Sequence, residues 1–382
     1  MKVLQTVLRD RTDIALALQP LSALAPHLLL TFGSVEWLQA LAPELDVHFA
    51  HAARLGCTTA GEISSQGVTD DACVVTALRF DAAFVHAAST RLQGMEDSHA
   101  AGQRLAGLLP PEGLRAVIVL GQGVNINGSA LISGMAAVLS AGVLITGGLA
   151  GDGGAFKETW VLDCHGVFND HVACVGLYGA GLSVAHGSFG GWMPFGPARK
   201  VTRCADNVLF ELDGESALDV YKRYLGEHAK DLPASGLLFP FSMLGSDHSE
   251  MGLIRTILAV DEASGSLTLA GDIDPQGYLR LMHASTDALV DGAEAAAKAA
   301  QLALDYPGQG LALLVSCVGR KLVMGGRVEE EVEAVADVLS QAAVLTGFYS
   351  YGEISPFTGE VSCKLHNQTM TITHLMETAA LS

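Results

Sequence analysis

Continuous apolar runs that end in glycine turns recur in this chain and alternate with segments of helical character. Three such runs begin at His27, Ala116 and Leu311, and each is followed by an amphipathic stretch and a second apolar run. A Val/Ile/Leu-rich run without polar alternation is typical of a strand buried on both faces, as in parallel sheets with crossover helices. The spacing therefore predicts an α/β fold built from repeated strand–helix–strand units.

Each unit ends in a glycine-rich segment with an acidic residue, and we refer to these segments as tips. Tip one covers residues 56–64, tip two residues 147–152 and tip three residues 347–355. Tips one and three share the pattern G-x-x-x-x-G-E-I-S, and tip two keeps a glycine followed by an acid. An internal repeat of this kind predicts that the three tips meet at one end of the fold.

Alternating apolar and polar sequence follows every tip, at residues 72–84, 159–178 and 361–375. Alternation with a period of two predicts antiparallel strands that extend the sheets. A turn-rich segment, residues 190–197, separates the first two units from the third. We therefore predict two lobes, residues 1–195 and residues 196–382.

The charge balance excludes several classes of partner. The chain has 22 Lys and Arg against 41 Asp and Glu, a net charge of -19, which repels nucleic acid and anionic membrane surfaces. An uncharged stretch, residues 116–151, is interrupted by glycine, asparagine and serine, so we expect buried strands and a helix rather than a membrane span. With no apolar leader and seven cysteines that form no C-x-x-C pair, a reducing cytoplasmic location is expected.

At the tips the sequence resembles the FIST family, whose members join an amino-terminal and a carboxy-terminal FIST domain. The resemblance extends over nearly the entire chain and is strongest in the three tips and in two further segments, residues 211–221 and 365–371. It implies two FIST lobes and a role as a small-ligand sensor in signal transduction, with amino acids among the ligands.

Residues 190–197 and 221–226 are more similar to a bacterial branch of that family. This resemblance implies a haem cofactor, nitric oxide as the ligand, and control of a partner histidine kinase in two-component, biofilm or cyclic-di-GMP signalling. An amino-acid or metabolite sensor without haem is the alternative, and a homodimer is left open. An enzyme is the third reading, but no paired nucleophile and base is evident in the sequence, so we expect no catalysis.

The candidate ligand-binding residues are the glycines and acids of the tips together with a rare cation and one amide, namely Gly61, Glu62, Gly151, Asp152, Arg280, Gly352, Glu353 and Asn367. Glycine allows close backbone approach to a ligand, and a carboxylate can hold an amine. The competing interpretation is structural: the glycines shape turns, the acids cap neighbouring segments, and Arg280 pairs with Asp272 or Asp274.

Neutral imidazole is a common axial ligand of haem iron. The candidate haem ligands, which the sequence does not rank, are His171, His186, His366 and His374. Hydrogen bonding is the competing role, particularly for His366, which lies in a polar cluster with Asn367 and Thr369.

Overall fold

A computed structural model describes residues 1–302, 310–339, 343–357 and 362–377. The predicted α/β fold, with repeated strand–helix–strand units and added antiparallel strands in two lobes, is confirmed. The uncharged stretch 116–151 forms a strand, a helix and a second strand, as expected. No helix in the described ranges has the length and apolar character needed to cross a membrane.

The first unit consists of an edge strand, a helix, two parallel strands joined by a second helix, a hairpin and a returning strand. Its elements are β1 (Lys2–Leu8), α1 (Ile14–Ala23), β2 (Leu28–Gly33), α2 (Val35–His48), β3 (Ala53–Thr58), β4 (Glu62–Ser64), β5 (Gly67–Thr69) and β6 (Cys73–Arg79). Ser34 caps α2 by accepting a hydrogen bond from the Trp37 N–H.

The second unit has the same order of elements. They are β7 (Phe84–Arg91), α3 (Ser98–Gly107), β8 (Leu114–Gly121), α4 (Gly128–Ala136), β9 (Leu144–Leu149), β10 (Val161–Asp163), β11 (Gly166–Phe168) and β12 (His171–Tyr178). Units one and two form the first lobe.

The third unit begins with β13 (Leu182–Phe189) and is then interrupted by an insertion. The insertion contains β14 (Met193–Pro194), β15 (Arg199–Ala205), β16 (Val208–Leu212), β17 (Glu215–Ser216), α5 (Ala217–Leu225), β18 (Phe241–Leu244), β19 (Glu250–Arg255), β20 (Ile257–Asp261), β21 (Ser266–Leu269) and β22 (Tyr278–His283). The unit resumes with α6 (Thr286–Leu302), β23 (Gly310–Cys317), α7 (Val318–Met324), α8 (Glu329–Leu339), β24 (Ala343–Ser350), β25 (Gly352–Pro356), β26 (Cys363–His366) and β27 (Met370–Glu377). The interrupted unit and its insertion form the second lobe.

Each unit builds one six-stranded sheet and gives its hairpin to another unit. The sheet orders are β1-β6-β2-β3-β10-β11, β7-β12-β8-β9-β25-β26 and β13-β27-β23-β24-β4-β5. The central pair is parallel in every sheet, and the returning and donated strands are antiparallel to it. Because every sheet receives a hairpin from a different unit in cyclic order, the three units are related by a pseudo-threefold arrangement.

The three sheets share a buried core that contains residues from all units, including Phe32, Ile118 and Phe348. The rings of Phe32 and Phe348 stack with centroids 4.8 Å apart. Hydroxyl pairs also join the sheets, with Thr76 bonded to Thr346 and Thr146 bonded to Thr373. The insertion has a separate core around its own strands and α5, so it is a distinct packing layer within the second lobe.

Candidate functional site

The three tips meet around the pseudo-threefold axis through equivalent backbone hydrogen bonds. Ala60 N donates to Tyr349 O at 2.8 Å, Gly151 N donates to Thr58 O at 2.9 Å, and Tyr351 N donates to Leu149 O at 3.1 Å. In each bond the donor lies four residues after a tip's first glycine, and the acceptor lies two residues after the first glycine of another tip. The repeat seen in the sequence therefore corresponds to a closed ring of contacts.

The acids of the tips are not all equivalent. Gly56, Gly147 and Gly347 are aligned by their pairing with the adjacent parallel strand. Five residues further on lie Gly61, Asp152 and Gly352, so Asp152 occupies the position of a glycine and not that of Glu62 or Glu353. The sequence alignment set Gly151 and Asp152 against Gly61 and Glu62, and the strand pairing shows that this alignment of tip two is off by one residue.

A cavity of about 490 Å³, which we call the central cavity, opens beside tips one and two. It is lined by the start of α2, by residues 58–62, by Asp70, by the loop 152–158 and by Lys321 of α7. Gly61, Glu62 and Asp152 therefore lie together at one cavity. Gly151 packs against the backbone of Thr59 and Ala60 just behind it.

Glu62 is almost completely buried at the wall of the central cavity. Its carboxylate accepts hydrogen bonds from the hydroxyls of Thr59 at 2.6 Å and Thr69 at 3.2 Å. Burial raises the pKa of Glu62 to about 7, although these hydrogen bonds oppose the shift. This carboxyl group therefore titrates near neutral pH.

Asp152 holds the shape of the loop that follows tip two. Its carboxylate accepts hydrogen bonds from the backbone N–H groups of Phe156, Lys157 and Glu158 and from the Tyr351 hydroxyl. Burial alone would raise the pKa of Asp152, but these donors outweigh it and lower the pKa. Asp152 is thus an ionised turn-forming residue as well as part of the cavity wall.

Glu353 lies in the same local environment as Glu62 but outside the central cavity. It is fully buried and accepts from the Ser350 hydroxyl at 2.8 Å and from the N–H and hydroxyl of Thr369. Burial raises the pKa of Glu353 to about 7. The adjacent Gly352 packs tightly against Leu365 and Leu149, so tip three contributes no exposed acid to the site.

Lys321 is the functional candidate that sequence reasoning missed. Its ammonium donates to Ala60 O at 2.8 Å, forms an ion pair with Asp70 and lies 5.3 Å from the centre of the Tyr349 ring. Lys321 belongs to the second lobe, whereas Ala60 and Asp70 belong to the first. Its only sequence signal is the scarcity of cations in an acidic chain, because nothing in the local pattern connects positions 70 and 321.

The remaining two ligand-binding candidates lie elsewhere. Arg280 is on β22 of the insertion, and its nearest acidic partner is Glu250 at 4.0 Å rather than Asp272 or Asp274. Asn367 is buried in the turn between β26 and β27 and borders a smaller cavity against the insertion. The structure therefore does not bring Arg280 or Asn367 to the central cavity.

The four candidate haem ligands lie on four strands of two sheets, with His171 on β12 and His366 on β26 of one sheet, and His186 on β13 and His374 on β27 of another. His171 Nδ1 is bonded to Asp170 at 2.8 Å, His186 Nε2 contacts Phe357 O at 3.1 Å, and His366 Nε2 contacts Ser355 O at 2.8 Å. Both nitrogens of His374 are buried without a partner among the described residues. Burial lowers the pKa of His366 and of His374 to about 4, so both rings are neutral at physiological pH.

An axial histidine needs a nitrogen that is free for iron and faces a cavity, while the other nitrogen is held in place. Of the four, His366 borders a cavity of about 400 Å³ beside Trp192 and Phe357, and its Nε2 is held by Ser355 O, which leaves Nδ1 as the nitrogen available to a ligand. Within the described ranges, no group of three or more His, Cys, Asp or Glu side chains could hold a metal ion.

Comparison with known proteins identifies the family. The chain matches the FIST N domain over residues 27–215 and the FIST C domain over residues 217–356. No curated protein sequence matches it. Among solved structures, a cyanuric acid hydrolase from A. caulinodans aligns over 99% of this chain and 99% of that chain, at 11% identity and a TM-score of 0.38, a similarity too low to support any inference. Because the two domain models together cover most of the chain, the protein belongs to the FIST family, whose domains are small-ligand sensors in signalling proteins.

Proposed function

We propose that this protein is a cytoplasmic sensor whose central cavity binds an amino-acid-like metabolite through its amine, without turnover. The observation that carries the proposal is the position of the Lys321 ammonium. A carbonyl oxygen, a carboxylate and an aromatic face surround it, and these are the groups that recognise an alkylammonium ion. The protein's own side chain therefore occupies an ammonium site at the cavity wall.

The charge of the cavity favours the same class of ligand. Its lining carries the acids Glu36, Glu62, Asp70, Asp152 and Glu158, and among the described residues its cations are Lys157 and Lys321. A lining with more acids than bases attracts a cationic group and disfavours a purely anionic one. The carboxylate of an amino-acid-like ligand has the Lys157 ammonium and the positive end of α2 available to it.

Displacement of Lys321 by a ligand amine would break a contact between the two lobes. The preceding residue, Arg320, is fully buried and paired with Glu331 at 2.8 Å. It also donates to Leu289 O in α6 and to Gly190 O at the start of the insertion, while Tyr349 donates to Glu331 at 2.7 Å. A change at the cavity is therefore coupled through packed groups to the insertion, where a partner such as a histidine kinase would detect it.

Two substitutions with opposite expected effects test this proposal, after a thermal-shift screen of amino acids and small diamines has identified a ligand. Lys321→Met removes the competing ammonium and keeps the aliphatic length, so ligand affinity should rise about fivefold, equivalent to about 1 kcal/mol. Asp70→Asn removes a charged acceptor, so affinity should fall about tenfold. Isothermal titration calorimetry measures both changes.

Lys298→Met is the matched control, because Lys298 forms a surface ion pair with Glu294 on α6, away from the cavity. Its affinity for the ligand should equal that of the unmodified protein. Loss of binding in Lys321→Met would contradict the proposal, since it would mean that Lys321 holds the ligand instead of occupying its place.

Haem-based sensing of nitric oxide, with control of a histidine kinase, is the second proposal and rests on the family resemblance alone. The positions of the four histidines give it less support than the central cavity gives to an amine ligand. Its test is the absorption spectrum of the purified protein with haemin. A Soret band that shifts on addition of nitric oxide would support it, and a spectrum equal to that of free haemin would remove it.

A further inference from the structure

A cavity of about 450 Å³ lies between α4 of the first lobe and the insertion, and we call it the guanidinium cavity. Its walls come from α4, from β18 and β19, and from the segments 272–274 and 362–365. Four charged residues line it. Lys364 and Asp272 are exposed and Asp274 is half-buried, whereas Arg255 at the end of β19 is buried.

Arg255 is a buried cation that forms no ion pair with a carboxylate of the described residues. The residue is 4% exposed, and its hydrogen bonds go to backbone carbonyl oxygens. Nε donates to Asp272 O at 3.1 Å, and Nη1 donates to Ile254 O at 3.1 Å and to Leu365 O at 3.3 Å. Burial lowers the pKa of Arg255 to about 10, so the group is still charged at neutral pH. A buried charge without a counter-charge is costly, and an anion beside it would stabilise it.

The remaining nitrogen of this guanidinium is open to the cavity. Nη2 of Arg255 has no hydrogen-bond partner among the described residues, yet it is not one of the polar atoms that are sealed from solvent. Because Arg255 lines the guanidinium cavity, a molecule inside can reach this nitrogen. The two N–H groups of Nη2 can donate charge-assisted hydrogen bonds to a carboxylate.

The two aspartates at this cavity restrict the charge of a ligand. The carboxylate of Asp272 accepts from Asn127 Nδ2 at 3.3 Å, and that of Asp274 accepts from the Gln276 N–H at 2.9 Å. Solvent screens the exposed Asp272, whereas the buried Arg255 is screened much less. One carboxylate is therefore favoured at Arg255, and a second negative charge would be repelled by the aspartates.

The apolar part of the lining indicates what else such a ligand carries. Met243, Leu253, Ile273 and Leu365 are buried residues of the cavity wall. A cavity of about 150 Å³ accommodates benzene, so about 450 Å³ accommodates a substituted aromatic ring or a chain of similar size. An apolar body packed on these side chains would add hydrophobic contacts to the ionic one.

We propose that the guanidinium cavity is a second ligand site, which binds a small monocarboxylate with an apolar body, its carboxylate on Arg255 Nη2. This site is separate from the central cavity, so it does not depend on the sensor proposal above. Because α4 belongs to the first lobe and the other walls to the second, an occupant would strengthen the contact between the lobes.

The test uses the full-length protein with isotope-labelled Met and Ile methyl groups and benzoate as the probe. Benzoate should shift the methyl resonances of Met243, Met251 and Ile273. Benzamide has the same shape but no charge, so it should bind at least about tenfold more weakly. No response to benzoate would overturn the proposal. Tighter binding of benzylammonium than of benzoate would also overturn it, because the aspartates would then determine the charge preference.

Arg255→Met removes the guanidinium and keeps the aliphatic length of the side chain. The affinity for benzoate should fall at least about tenfold, to that for benzamide, and an unchanged affinity would contradict the proposed role of Arg255. Since Arg255 also holds three backbone carbonyls, a second variant leaves this residue intact.

Ala136→Phe fills the cavity from an exposed position on α4. It should abolish the benzoate response without lowering the melting temperature. Ala137→Phe is the matched control, because Ala137 is an exposed neighbour that does not line the cavity, and it should bind benzoate as the unmodified protein does. Unchanged benzoate binding in Ala136→Phe would show that benzoate binds elsewhere, and the proposal would fail.

Discussion

Two buried glutamates, Glu62 and Glu353, have carboxyl groups whose protonation affects the stability of this fold. Each is held by a hydroxyl three residues before it and by a second contact nearby, and burial raises the pKa of both to about 7. A carboxyl whose pKa is raised in the folded state binds its proton more tightly there than in the unfolded chain. Its stabilising contribution is therefore fully present below about pH 4.5 and is lost as the pH rises through about 7.

This linkage predicts the behaviour of Glu353→Gln, which keeps the shape of the side chain but cannot ionise. The unfolding free energy of the unmodified protein, measured relative to that of the variant, should fall by about 1–3 kcal/mol between about pH 5 and pH 8. Denaturant unfolding at the two pH values measures this difference. Glu333→Gln on the exposed face of α8 is the control. If the unfolding free energies of the unmodified protein and of Glu353→Gln differ by the same amount at both pH values, the raised pKa of Glu353 would be contradicted.

The parallel strand pairs depend on three glycines at equivalent places in β3, β9 and β24. A Cβ at Gly56, Gly147 or Gly347 would lie well under 3.0 Å from the carbonyl oxygen of Thr31, Val119 or Leu314 on the adjacent strand. The absence of a side chain therefore lets the second strand of each unit approach the first closely just before the tip begins.

We expect Gly147→Ala to destabilise the protein by about 3 kcal/mol or more, because neither backbone can move without disturbing the sheet. Gly142→Ala is the matched control. Gly142 also has a positive φ, but a Cβ added there would meet no atom within 4 Å, so only the conformational cost of about 1 kcal/mol should appear. Urea unfolding measures the loss of unfolding free energy in each variant. Similar losses in both would show that the positive φ, and not the close approach of the adjacent strand, determines the cost of adding a Cβ at Gly147.

The exchange of hairpins joins the two lobes into one cooperative structure. Unit one gives β4–β5 to β24 of the second lobe, and the second lobe gives β25–β26 to β9 of the first. Each lobe in isolation would therefore expose sheet edges and lack part of the shared core.

This arrangement predicts that a fragment of residues 1–180, which ends between β12 and β13, will not unfold cooperatively alone but will regain a cooperative transition when mixed with residues 181–382. Circular dichroism during a denaturant titration of each fragment and of the mixture tests it. A cooperative transition of the first fragment alone would show that the exchanged strands contribute less than the topology suggests.

Local patterns were sufficient to predict the buried strands, the crossover helices, the antiparallel strands after each tip and the triple repeat, because these features depend on residues close together in the chain. The meeting of the tips also followed from the repeat. The one-residue offset of Asp152 could not be predicted from the repeat, because the spacing of glycines alone does not define how the residues of one unit align with those of another.

Long-range packing determined the rest. Which sheet receives each hairpin depends on pairings such as Phe348 with Glu62, between positions that no local periodicity connects. The same holds for the Lys321 ammonium site and for the separation of Arg280 and Asn367 from the central cavity. A side chain's chemistry can be inferred from its type and neighbours, but its partners depend on how distant segments fold together.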